Sequence, residues 1–175
     1  MKRLCVSACL LGVPCRWKGD AKPCEAVRRL ADDPRVELVP FCPELAAGLG
    51  CPRPPIELVQ VEASEPSTAS TASTLQPSGA PVRALRVDRT GDATDALRAA
   101  CEAEAETLAR AGGVDGFVLK SRSPSCGLAS PLHDMQGRET GTAPGLWASV
   151  ARERFPAAEF RDETTAGKAT PPSLR

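Results

Sequence analysis

The chain has 175 residues, of which 42% are hydrophobic, and its 22 basic and 22 acidic side chains cancel to a formal net charge of zero. That balance removes the electrostatic basis for gripping a nucleic-acid polymer or an anionic membrane, and no apolar run approaches the roughly 18 residues of a membrane-spanning helix. The length suits one domain, with Val, Leu and Ala filling the core because only four Phe, two Trp and no Tyr are present.

The start of the chain, basic and then apolar, has the outline of an export signal. Pro14 and Arg16 interrupt it and the run is too short, so a cytoplasmic protein is expected. Residues 3–8 read as a first strand, followed by a loop marked by Gly12, Pro14 and Gly19 that carries Cys9 and Cys15. Residues 23–31 read as a helix with Pro23 in its first turn. Residues 36–41 form a second strand, ending at Cys42-Pro43-Glu44. A short helical turn is expected over 45–49 and an alternating strand over 56–61.

Residues 62–81 are low-complexity Ser, Thr, Ala and Pro, expected as a surface insertion. A strand over 84–88 then pairs with 56–61. The clearest helix spans 94–111, where Leu97, Cys101, Ala105 and Leu108 share one face and Gly112-Gly113 ends the run. Residues 114–119 are a strand leading into Lys120-Ser121-Arg122-Ser123-Pro124-Ser125-Cys126-Gly127. Gly-rich chain to Gly141, a helix from about 144 to 153, a closing strand over 157–160 and a disordered tail over 164–175 complete the expectation.

Alternation of strands and helices predicts a single α/β domain over 1–163, Rossmann-like, with a mostly parallel sheet and helices on both faces. Cys9, Cys42 and Cys126 each follow the C-terminal end of a strand. In such a sheet those ends share one edge, where ligands bind. One thiol in such a place is ordinarily a small buried apolar group; three at equivalent positions point to metal ligation. The chain has eight cysteines but a single histidine, His133, so a metal site here is built from thiolates. Three thiolates on a four-iron–four-sulfur cluster leave one iron open as a Lewis acid.

Cys5 and Cys101 read as structural, and Cys24 begins a helix without further support. Cys15 and Cys51 stay ambiguous, Cys15 as a fourth ligand or a resolving thiol. The absence of any C-x-x-C counts against a thioredoxin-like dithiol and a zinc ribbon. Pro43 stiffens the turn that brings the Glu44 carboxylate near the Cys42 thiol, in reach of a general acid–base role. Ser121, Ser123 and Ser125 are hydrogen-bond donors to a ligand or caps of their own loop. Arg16, Arg53, Lys120 and Arg122 give the pocket positive character.

At these residues the chain resembles a bacterial family long catalogued as a domain of unknown function, which includes the thiouracil desulfidases. The family pattern S-x-C-L-L-G, then C-R-Y-D-G, F-C-P-E, G-L-x-x-P-R, G-D-V-T and K-S-R-S-P-S-C-G stands here at residues 7–12, 15–19, 41–44, 48–53, 91–94 and 120–127. The resemblance implies a 4Fe-4S cluster held by Cys9, Cys42 and Cys126, whose open iron takes the sulfur of a thiolated pyrimidine. It implies that Glu44 moves protons as water replaces sulfur, without redox change of the substrate, and that Ser121, with Ser123 second, orients substrate or water. Ser7, Arg16, Lys120 and Ser125 are the expected substrate contacts. The expected partner is a small thiolated pyrimidine, the chain acting alone or as a homodimer.

Trp17-Lys18 replaces Tyr-Asp in the second motif, Ala93 replaces Val, and 133–137 replaces a shorter Y-D-G segment. None of these removes an expected ligand. The Lys18 change reverses charge near the first loop. Two other readings use the same thiols: a metal or cluster carrier without turnover, and a redox module in which Cys9 and Cys15 form a reversible disulfide.

Overall fold

A computed structural model describes residues 1–62 and 81–166. Nearly all of the expected 62–81 insertion, and the expected tail from residue 167 onward, therefore lie outside the described residues. In chain order the elements are β1 (Lys2–Ser7), α1 (Glu25–Arg28), β2 (Val36–Phe41), α2 (Pro43–Ala46), β3 (Ile56–Gln60), β4 (Val82–Arg86), α3 (Thr94–Arg110), β5 (Gly116–Leu119), β6 (Ser130–His133), β7 (Glu139–Ala143), α4 (Leu146–Arg154) and β8 (Glu159–Asp162).

The central sheet is wholly parallel, in the order β2-β1-β5-β8. Alternation along its strands divides the core between two faces. Leu4 and Val6 of β1 and Val118 of β5 turn to one side, where Val27 of α1 and Leu30 meet them. Cys5, Phe117 and Leu119 turn to the other, against Leu97, Cys101, Ala105 and Leu108 of α3 and Trp147 of α4. Phe117 stacks on Phe160 at 4.7 Å between centroids and meets Trp147 edge-on at 5.7 Å. Full burial of such a ring stabilises by about 1.5–3 kcal/mol. The expected parallel sheet with helices on both faces is the one found, and the structural readings of Cys5 and Cys101 agree with their complete burial in this core.

A second four-stranded sheet, in the order β4-β3-β6-β7, was not expected. The hairpin of β3 and β4 matches the anticipated pairing and is antiparallel. Two further strands, β6 and β7, extend it through a parallel and then an antiparallel pairing. Both lie in the stretch read as loop: β7 is Glu-Thr-Gly-Thr-Ala, exposed along four of five residues, with no apolar alternation to betray it. The helix expected over 23–31 shrinks to α1 and a 3-10 turn at Arg29–Asp32. The helix expected from 144 begins at Leu146, and the closing strand lies two residues later than anticipated. Among the described residues no helix is long and apolar enough to cross a membrane.

Strands β1, β2 and β5 are neighbours, and each points its C-terminal end to the same edge. The chain leaves β1 toward α1 on one face and returns to β5 from α3 on the other. The crevice between such strand ends is where an open α/β sheet binds ligands.

Candidate active site

Past the C-terminal ends of β1 and β5 lies a cavity of about 360 Å³. Its wall is built from three loops: Cys9, Cys15 and Arg16 after β1, Glu44 and Arg53 around α2, and the Lys120–Cys126 segment after β5. Backbone geometry holds the last loop against α4. The Ser125 carbonyl accepts from the Trp147 N–H at 2.7 Å and the Gly127 carbonyl from the Gly145 N–H at 2.8 Å. The two glycines are there because the chains nearly touch. A β-carbon on Gly127 would lie 2.2 Å from Ser130 Oγ and 2.9 Å from the Ser123 carbonyl, and one on Gly145 only 2.7 Å from the Ser125 backbone.

Two of the three expected ligands, Cys9 and Cys126, line the cavity. Cys42 does not. Its thiol hydrogen-bonds Cys15, with Sγ 3.7 Å from the Cys15 carbonyl, and it is Cys15 that reaches the cavity wall. Cys15 also hydrogen-bonds Cys9, so the ambiguous cysteine of the first loop joins the group. Burial pushes the Cys126 thiol up to about 12, against smaller lowering by Ser7 and Ser125. The hydrogen bond with Cys42 lowers Cys15, but the bond with Cys9 and burial raise it further, to about 11. Cys42 is raised as well, by its bond with Cys15 and by burial. Raised in this way, Cys15, Cys42 and Cys126 are protonated at neutral pH. Cys51, the other ambiguous cysteine, is exposed and donates to the Pro14 and Arg16 carbonyls at 3.1 and 3.3 Å, bracing the first loop from outside.

Among the described residues no three His, Cys, Asp or Glu side chains surround a point as the ligands of a single metal ion would. The donor chemistry fits a larger inorganic unit: three soft thiols, Cys9, Cys15 and Cys126, and no histidine line the cavity, with Cys42 hydrogen-bonded behind Cys15.

Beside the thiols stands a carboxylate held from both sides. Glu44 Oε2 accepts from Arg53 Nε at 2.6 Å, and Oε1 accepts from Ser125 Oγ at 2.6 Å. Arg53 also donates to the Gly50 carbonyl at 2.7 Å and the Cys15 carbonyl at 2.8 Å, tying the carboxylate to the first thiol loop. The side chains of Arg53 and Glu44 are 3% and 11% exposed, so little water competes for the pair. Because Ser125 gives its proton to Glu44, the 3.2 Å contact between the Ser123 and Ser125 hydroxyls is one in which Ser123 donates. Ser123 lines the cavity. A directed run of hydrogen bonds thus leads from the cavity through Ser123 and Ser125 to Glu44.

Ser121 is in a different network, one that sequence reasoning missed. Glu163, just past β8, accepts from the Ser121 N–H at 2.7 Å and the Ser121 hydroxyl at 2.8 Å, and it also accepts from the Lys120 ammonium. Burial works to raise the Glu163 carboxyl, but Lys120 and Ser121 outweigh it and hold it below the usual carboxylate range. Nothing in the run Asp-Glu-Thr-Thr marks Glu163 as anything but a surface residue. Of the remaining expected contacts, Arg16 lines the cavity while pairing with Asp20 at 2.7 Å. Ser7 sits behind the wall, accepting the Lys120 N–H at 2.9 Å and bonding the Cys126 thiol.

The family model of 2-thiouracil desulfurase matches residues 4–163. An uncharacterized protein of Bacillus subtilis (strain 168), YbbK, is 32% identical over 150 residues, which are 85% of this chain and 88% of that protein. A solved structure of a 4Fe-4S-dependent thiouracil desulfidase, TudS, superposes with a TM-score of 0.63 at 26% identity, covering 94% of this chain and 93% of that one. The thiols at one sheet edge, the carboxylate beside them and the match along nearly the whole chain agree: the protein belongs to the 2-thiouracil desulfurase family.

Proposed function

We propose that this chain is a desulfidase that replaces the sulfur of a thiolated pyrimidine by oxygen, with a 4Fe-4S cluster on Cys9, Cys42 and Cys126. The observation that carries the reading is the convergence of Cys9, Cys126 and Glu44 on one cavity at the C-terminal edge of a parallel sheet, in a chain of this family. When bound, the cluster supplies an open iron of Lewis-acid character for a soft sulfur ligand. The reaction is a hydrolysis, C=S plus water giving C=O plus hydrogen sulfide, and the substrate carbon changes no oxidation state.

Glu44 is the proton-handling group. It accepts a proton from the attacking water and returns one to the departing sulfur. Arg53 and Ser125 hold both of its oxygens in place, and Ser123 connects it to the cavity. Ser121 orients the substrate or the water. Residues 1–163 act as one catalytic domain. All eight cysteines are free, which suits a reducing compartment such as the cytoplasm.

The test is anaerobic reconstitution with iron and sulfide, read by visible absorption, iron content and release of uracil from 2-thiouracil. Wild type is run beside Cys9→Ala, Cys42→Ala, Cys126→Ala and Glu44→Gln. The expected result is a cluster in wild type and Glu44→Gln, none in the three cysteine variants, and turnover in wild type alone. Turnover by cluster-free protein, or a cluster retained in all three cysteine variants, would overturn the proposal. A cluster with no turnover would leave a carrier.

A further inference from the structure

The hydrogen bonds around Ser121 add up in a way that gives this residue a defined polarity. A lysine ammonium has three protons and no lone pair. Those of Lys120 go to the Ser121 carbonyl at 2.9 Å, the Ser121 hydroxyl oxygen at 3.1 Å and Glu163. Lys120 has no donor left for a ligand, although it lines the cavity. The Ser121 hydroxyl spends its one proton on Glu163 at 2.8 Å and one lone pair on Lys120. A hydroxyl oxygen has two lone pairs. One remains, on an atom of a residue that lines the cavity, and it can only accept.

From this geometry we infer that Glu163 is a positioning residue that makes Ser121 an obligate acceptor, reading a ring N–H of the pyrimidine. The inference rests on the proposed desulfidase function. An orphaned acceptor rejects a ligand lacking the matching donor, because a desolvated polar group is then left unpaired. A pyrimidine methylated at that nitrogen lacks the donor. Glu163 reaches the loop from the far end of the chain, and its carboxylate is what forbids the hydroxyl proton from turning into the cavity. With an amide at 163 one acceptor oxygen remains where there were two; taken by the Ser121 N–H, it turns the amide NH2 toward the hydroxyl, which then accepts from it and points its own proton into the cavity.

The experiment uses the reconstituted holoenzyme and three product-side probes: uracil, 1-methyluracil and 3-methyluracil, with binding measured by calorimetry. Wild type, Glu163→Gln, Glu163→Asp and Ser121→Ala are compared, with iron content recorded for each. Wild type should bind uracil about tenfold more tightly than one of the two methyl derivatives. That ratio should fall to near one in Glu163→Gln and Ser121→Ala, and be partly restored in Glu163→Asp. A loop merely displaced by substitution weakens all three probes together and leaves the ratio unchanged. An unchanged ratio in Glu163→Gln, or no discrimination by wild type, refutes the inference. If wild type neither binds uracil nor releases it from 2-thiouracil, the desulfidase reading has failed along with it; turnover with an unchanged ratio sinks only the role of Glu163.

Discussion

Replacing Arg53 by Met tests whether the carboxylate at the cavity is held by the pairing described above. The guanidinium is almost wholly buried and makes three charge-assisted bonds: to Glu44 Oε2 at 2.6 Å, to the Gly50 carbonyl at 2.7 Å and to the Cys15 carbonyl at 2.8 Å. Methionine has similar length, so the change removes charge and donors with little loss of volume. Removing one member of a buried ion pair costs about 3–5 kcal/mol, because the other charge stays desolvated and unpaired. In a domain of this size that lowers Tm by roughly 6–20 °C. The assay is thermal and urea unfolding of the reduced, cluster-free protein, with Glu44→Gln and the double variant completing a cycle. The double variant should recover about 2 kcal/mol relative to the sum of the single changes, since no charge is then orphaned. Additivity of the two, or a loss below about 1 kcal/mol for Arg53→Met, would refute the account of Glu44 as a buried carboxylate dependent on Arg53.

Gly127→Ala drives a β-carbon into Ser130 Oγ and the Ser123 carbonyl; it should destabilise the fold by about 1–3 kcal/mol and lower iron uptake, measured by iron content after reconstitution. Cys101→Ala, in the core between α3 and the sheet, should cost about 1–2 kcal/mol of stability and leave iron content at the wild-type level. The Glu163 carboxyl is held low, so its contribution to stability is complete above the ordinary carboxyl value of about 4.3. That contribution is lost as pH falls through the lower folded value. Urea titrations from about pH 6 to pH 3 should therefore show a shallower acid limb in Glu163→Gln than in wild type.

Much of the fold was readable because buried strands and a one-sided helix impose periodicity on their residues. Val36–Phe41, Ile56–Gln60 and the Leu97, Cys101, Ala105, Leu108 stripe all appear where the pattern put them. Strands β6 and β7 escaped because the residues of β7 face water and the two strands hold together through backbone pairing, which leaves no mark on composition. The thiols at 9, 42 and 126 were singled out through their position after strands, and two of them, Cys9 and Cys126, line the cavity. What local reading missed were pairings made across the fold. Arg53 was expected as one of four cations making the pocket positive, yet its guanidinium is buried and paired with Glu44. Ser125, expected among the substrate contacts, is bonded to Glu44, while Ser121 answers to a glutamate 42 residues away.

The order of strands in the central sheet also has a consequence for when the site can exist. The cavity draws its walls from residues near positions 9, 44 and 120–126, and Glu163 secures its rim from beyond the edge strand β8. Strand β5 has to slot in beside β1 across more than a hundred residues of intervening chain, and among the described residues β8 pairs with β5 alone. Parallel contacts of that separation form late, after the loop entropy has been overcome. A growing polypeptide that has exposed Cys9 and Cys42 still lacks Cys126, the third of the proposed ligands, and the loop that carries it. Iron and sulfide delivered at that stage meet scattered thiols and no cradle, so cluster insertion belongs to the end of folding.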